Sequence, residues 1–273
     1  MLRTSRGRHN NADMREGSFA MTHITDWIQK HIGVGGVLAF AIFAQLIGVI
    51  FVSILPLAVC GENTAEAVKT VVAKGDAAAQ FRYAEMLRTG NGVATNLAEA
   101  VVWTRKAAEG GHVEAQFRYG EMLRDGRGVS KNVIESVKWM RKAADSRHAD
   151  AQCQMGLFYM NGLGVDRDED KAVEWLEKAA KQNHAQAQYN LGIYHARFSD
   201  KESIRLALKW LNEAVKQGYA DAEYSLAKLY LNPHHPACKE QGAGRRAIQL
   251  LRLAAAQNHV GAQKMLEELG VDK

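Results

Sequence analysis

The chain has 273 residues and a formal net charge of +5, with 47% apolar and 24% charged residues. The excess charge is not spread evenly: from Gly61 onward 30 basic residues face 27 acidic ones, so the basic stripe that nucleic-acid binding needs is absent. Three prolines and three cysteines, Cys60, Cys153 and Cys238, exclude both a long disordered chain and a disulfide framework.

Residues 1–30 form a basic tail with five Lys/Arg against three acids, and disorder is expected there. Residues 31–60 come next as an apolar segment, uncharged from Ile32 to Cys60. Its densest part, Val37 to Leu55, is nineteen residues long, and as a helix it reaches about the thickness of a bilayer's hydrocarbon core. A transmembrane helix through residues 32–59 is therefore expected, with a cleaved signal as the alternative. The Lys/Arg of the tail favour a cytoplasmic N-terminus, which places the remainder in the periplasm of a bacterial inner-membrane protein, or in the periplasm or outside after cleavage.

Residues 61–75 are expected to cap a repeat array. From 76 to 270 the chain repeats itself. The alanine of an Ala-Gln or Ala-Glu pair falls at Ala79, Ala115, Ala151, Ala187, Ala222 and Ala262. A tryptophan recurs at Trp103, Trp139, Trp175 and Trp210, with Leu250 in the last place. A period of 35 to 40 residues signals one supersecondary unit per repeat.

Each unit divides into two helices. Helix A of the first unit is expected over about Asp76–Arg88, where Phe81, Tyr83, Ala84 and Leu87 mark one buried face. The residue after Tyr83 is small in every unit (Ala84, Gly120, Gly156, Gly192, Ala227), which predicts close approach of a neighbouring helix. Glycine then ends helix A, and Asn96, Asn132 and Asp168 are N-caps for helix B. Glu99 and Glu135, three residues on, predict a capping box in two units. Gly111, Asn183, Gly218 and Asn258 suit the positive φ expected at the end of helix B; Arg147 breaks that pattern. The spacing from the helix B alanine to the next helix A alanine is always 15, whereas the A–B loop varies in length.

These motifs, A-x-x-x-L-G-x-x-Y followed by G-x-G-V, a cap and A-x-x-W-x-x-K-A-A, resemble Sel-one-like repeats, relatives of the tetratricopeptide repeat. The resemblance covers about Gly75 to Gly270. It implies an all-α, right-handed α-solenoid of five repeats and a terminal helix, with the A helices lining a concave face, and a role in holding proteins together.

Chemistry finds little purchase here. His112, His148, His184 and His259 recur with the repeat and are expected as solvent-facing loop residues, since stacked helices roughly 8–10 Å apart cannot share one zinc ion. His234, His235 and Cys238 are the weak metal candidates, which leaves a metal-binding or hydrolytic protein as an alternative of a different class. No phosphate loop and no Ser/His/Asp set assembles, so neither catalytic residues nor a cofactor is expected. The exposed face of helix A is the better candidate: Arg82, Glu85, Arg118, Glu121, Gln154, Leu157, Asn190, Ile193, Ser225 and Lys228 form an expected partner-binding groove, charged in the first two repeats and apolar at Leu157 and Ile193. Read otherwise, Arg82–Glu85 and Arg118–Glu121 are ordinary i, i+3 surface pairs. The expected function is binding of another protein, as an envelope scaffold or regulator, or as an immunity protein against an exported toxin.

Overall fold

A computed structural model describes Val72 and residues 75–271. The expectations for the tail, the apolar segment and most of the capping unit lie outside the described residues. Among the described residues no helix is long and apolar enough to cross a membrane.

Five helical hairpins succeed one another, all within the unit that begins at Gly61. The A helices are α1 (Ala77–Thr89), α3 (Val113–Asp125), α5 (Ala149–Asn161), α7 (Ala185–His195) and α9 (Ala220–Leu231). The B helices are α2 (Leu97–Glu109), α4 (Val133–Asp145), α6 (Glu169–Ala180), α8 (Lys201–Lys216) and α10 (Ala243–Ala256). A short 3-10 turn, Pro236–Lys239, fills the last A–B loop, and α11 (Val260–Glu268) closes the array. There is no strand among the described residues.

The small position works as its spacing predicts. A methyl group added to Gly156 would sit 2.6 Å from Cγ of Leu176, and one on Gly192 would sit 2.6 Å from Cγ of Leu211. Both leucines are wholly buried on the B helix of the same repeat. In α11 the same position holds Glu267, which is exposed. A carboxylate there bars the approach of another B helix, and such a polar end suits the last unit of a stack.

The constant B–A spacing has a local cause. At the end of α2, Gly111 adopts φ 86°, its N–H donates to Ala108 O (3.1 Å), and the N–H of His112 donates to Ala107 O (3.0 Å). This is the paired bonding of a Schellman motif. The same His112 then caps α3, its Nδ1 accepting from the N–H of Ala115 (3.1 Å). One residue thus ends the closing motif of helix B and caps the next helix A, so neither an insertion nor a deletion fits between them. His148, His184 and His259 do the same. The expectation that these histidines are solvent-facing loop residues is corrected: the side chains of His148, His184 and His259 are only 15%, 15% and 18% exposed.

The capping box is also corrected. Asn96 and Asn132 accept from the N–H of Glu99 and Glu135 as expected (3.1 and 3.0 Å). The return bond does not form, because the N–H groups of Asn96 and Asn132 already donate to Leu87 O and Leu123 O, closing the A–B loop. The two carboxylates instead accept from the indole N–H of Trp103 (3.3 Å) and Trp139 (3.0 Å). Arg147 takes φ 65°, the left-handed turn that Gly111 and Asn183 supply elsewhere.

Candidate protein-binding surface

The faces of helix A divide by depth. Ala84, Tyr83 and Leu87 and their counterparts are buried, except for the half-buried His195 in the fourth repeat, while the opposite stripe reaches solvent. Of the ten expected groove residues, Arg82, Arg118, Ile193 and Lys228 are exposed, and Glu85, Gln154, Leu157, Asn190, Ser225 and Glu121 are half-buried. None is in the core.

Of the two expected i, i+3 pairs, Arg118–Glu121 forms and Arg82–Glu85 does not. Glu85 binds Arg88 (2.7 Å), not Arg82, and Arg82 has no ion pair among the described residues. Arg118 bridges Glu114 (2.9 Å) and Glu121 (3.0 Å). These carboxylates raise its pKa against the lowering that burial causes. Arg124 donates to Gln154 Oε1 (3.0 Å) and so carries the polar network from the second repeat into the third. There the network stops: Leu157 and Ile193 come next, and the buried amide nitrogen of Asn190 has no hydrogen-bond partner.

Beside this stripe runs an edge that sequence reasoning missed. The Nε2 of His148 lies 2.8 Å from Glu114, that of His184 lies 3.1 Å from Asp150, and that of His259 lies 3.2 Å from Asp221. Because Nδ1 accepts from a backbone N–H, Nε2 carries the proton and donates to the carboxylate. Three of the four capping rings also pack on an aromatic of the preceding repeat: His112 on Phe81, His148 on Phe117 and His259 on Tyr224, with centroids 4.8, 4.6 and 4.5 Å apart; His184 has Cys153 in that place. The available signal was the 34-residue spacing between acid and histidine in the first two pairs, which the longer last loop stretches to 38 for Asp221 and His259. Deeper in, Gln182 donates to Gln152 and Gln217 to Gln188 (both 2.7 Å), and Gln257 donates to Glu223 (3.0 Å).

The metal candidates do not converge. Among the described residues no group of three or more His, Cys, Asp or Glu side chains is placed to hold an ion. His235 is buried, and its Nδ1 accepts from the N–H of Ala237 (3.2 Å), starting the 3-10 turn. Cys238 faces Pro233 O at 3.6 Å. Cys153 is wholly buried, and burial pushes its thiol up to about 12, which leaves it unreactive at neutral pH.

The Sel1 repeat model matches residues 77–112, 113–148, 149–184, 185–219 and 220–259, each match opening on an A helix. The chain belongs to the Sel1 repeat family. A solved Sel1 repeat protein from Oxalobacter formigenes is 28% identical to this Sel1 repeat chain, over 71% of this chain and 76% of that one, with a TM-score of 0.63. The c5321 protein, a protective antigen present in uropathogenic Escherichia coli strains and displaying an SLR fold, is 25% identical over 75% of this chain, with a TM-score of 0.50. The Sel1 chain spans about half of that protein, 51%. The immunity protein Pa5087 from Pseudomonas aeruginosa is 22% identical over 70% of this chain and 74% of that one, with a TM-score of 0.42. No curated protein matches the chain. Membership of the family implies binding of another protein.

Proposed function

We propose that the array binds a partner protein along the solvent face of its A helices and the adjoining A–B loops, as an envelope scaffold or regulator. One observation carries this reading. The repeats bury every other side of helix A, yet leave a stripe that changes from the charged Arg118–Glu121 network to the apolar Leu157 and Ile193. A charged rim beside apolar anchors is the composition of a protein-binding surface. The loop of the fourth repeat extends it: Phe198 is 41% exposed, packs against Tyr194 (5.4 Å), and both lie beside Arg197. In this reading binding is steric and multivalent and requires no bond chemistry.

The apolar segment at residues 32–59 would hold the array at a bacterial inner membrane with the repeats in the periplasm. Cross-linking of the full-length chain in native membranes tests both parts. The expected result is one specific partner whose cross-link weakens at least tenfold in the Arg118→Glu, Leu157→Asp double variant. An unchanged cross-link in that variant rejects the A-helix face, and extraction of the chain by alkaline carbonate rejects the anchor. The identity of the captured partner, whether toxin, enzyme or structural protein, distinguishes immunity from regulation and scaffolding.

A further inference from the structure

Four of the five repeats place an indole at the same point of helix B; the fifth has Leu250. In the third repeat Trp175 lies in a buried cluster with Val137, Met155 and Tyr159, and Lys178 covers its ring at 3.9 Å. The neighbouring Arg141, from the B helix before, donates to the hydroxyl of Tyr159. The register of the repeat carries each of these to the fifth unit: Val137 becomes Leu208, Met155 becomes Leu226, Tyr159 becomes Tyr230, Arg141 becomes Asn212, and Lys178 becomes Leu253.

The walls are therefore kept while both large occupants are shortened, Trp to Leu and Arg to Asn. Leu208, Leu226, Tyr230, Asn212, Leu250 and Leu253 line an open cleft of about 420 Å³, whose lining also includes Gln249 and the charged Glu240 and Arg246. Leu253 is 52% exposed where the lysine lid stood. Tyr230 is only 6% exposed, but its hydroxyl, which no described residue bonds as Arg141 bonds that of Tyr159, is not among the buried polar atoms and stays open to solvent and to a ligand.

We propose that this cleft is an anchor pocket for a tryptophan side chain of a partner protein. The apolar side chains of Leu208, Leu226, Leu250 and Leu253 receive the six-membered ring, and the Tyr230 hydroxyl accepts from the indole N–H. In the first two repeats the chain's own tryptophan fills this position and Glu99 or Glu135 accepts its N–H; in the fifth repeat Arg246 stands in the place of that carboxylate, which leaves the acceptor role to the Tyr230 hydroxyl. Tryptophan is also the side chain most enriched among residues that dominate protein interfaces. The inference rests on the reading of the array as a binding module, but the pocket can be tested without any partner.

The probe is N-acetyl-tryptophanamide, titrated into the full-length chain and followed by saturation-transfer NMR, with N-acetyl-leucinamide and N-acetyl-argininamide in parallel. A single side chain in an open cleft should bind with a dissociation constant on the order of 1–10 mM. Leu250→Trp, which refills the slot from within, should weaken binding at least tenfold, and Tyr230→Phe should weaken it severalfold. Asn212→Arg supplies the other missing occupant and is a second blocking variant should Leu250→Trp misfold. The proposal is overturned by no saturable binding, by binding unaltered in the blocking variants, or by the leucine or arginine amide binding as well as the tryptophan amide. A slot that binds the probe in a chain that cross-links to no protein rejects the proposed function and leaves the pocket standing.

Discussion

His148 holds Glu114 of the preceding repeat at 2.8 Å with one ring nitrogen while its other nitrogen caps its own helix. The two contacts lie on opposite sides of the junction between repeats, so a single imidazole ties the end of one hairpin to the start of another. His148→Ala removes both and should destabilise the array by about 1–2 kcal/mol, the usual value of an N-cap with some addition for the bridge. His148→Asn keeps a capping acceptor and should lose less. Urea unfolding of the two variants gives the order; equal losses would mean that the cap contributes nothing.

His112 lacks such a bridge, because Ala78 stands where the later repeats have Glu114, Asp150 or Asp221. Burial holds its pKa below the usual 6.5, against the pull of Glu114 and Asp76. A histidine kept neutral by folding contributes stability above its unfolded pKa, and that stability is lost as the pH falls from 6.5 toward the lower folded value. Thermal melts of the wild type should therefore decline in that window. In His112→Asn, which caps without titrating, the decline should be shallower; curves of the same slope would exclude His112 as the cause.

Glu223 is 3% exposed and occupies the place of Gln116, Gln152 and Gln188. Burial raises its pKa, and the bond from Gln257 offsets this only in part. The folded state thus resists ionisation of Glu223, and the resulting loss of stability is present above the unfolded pKa and absent below it. Glu223→Gln restores the amide of the other repeats, which can also donate to the carbonyl at the end of the preceding B helix, as Gln188 does to Ala180. Near pH 7 the variant should be more stable by about 1 kcal/mol. The advantage should fade on acidification to below pH 4.5, the ordinary value of a glutamate, and a pH-independent gain would point to packing instead.

Gly156 meets Leu176 so closely that even one methyl group must displace it. Gly156→Ala should cost about 1–3 kcal/mol despite the better helix propensity of alanine. Combining it with Leu176→Ala should give a loss smaller than the sum of the two single losses, since the clash disappears with its partner. Additive losses would show that the two side chains do not meet.

Arg147 is held at φ 65° with no glycine or asparagine to relieve it. Arg147→Gly should stabilise the chain by about 0.5–1 kcal/mol, because the native turn is one that only glycine adopts freely. Arg147→Asn should fall between the two, and a melting temperature that does not rise in either variant would contradict the strain.

Much of this architecture was legible from residues close together in the chain. The period, the two helices per unit, the caps at Asn96, Asn132 and Asp168 and the close approach at Gly156 all arise from spacings of a few residues and from local hydrogen bonding. The solvent-facing stripe of helix A was legible, because helical periodicity alone separates Arg118 and Leu157 from the buried face. What only the tertiary structure decided involves partners some thirty residues apart or bonds competed for by two acceptors. Glu99 serves Trp103 because loop closure has already taken the N–H of Asn96; His148 is a cap and a bridge because stacking brings Glu114 to it. The open slot beside Leu250 arises from two substitutions on different helices, Trp to Leu and Arg to Asn, whose side chains share one space only when the hairpins are packed together.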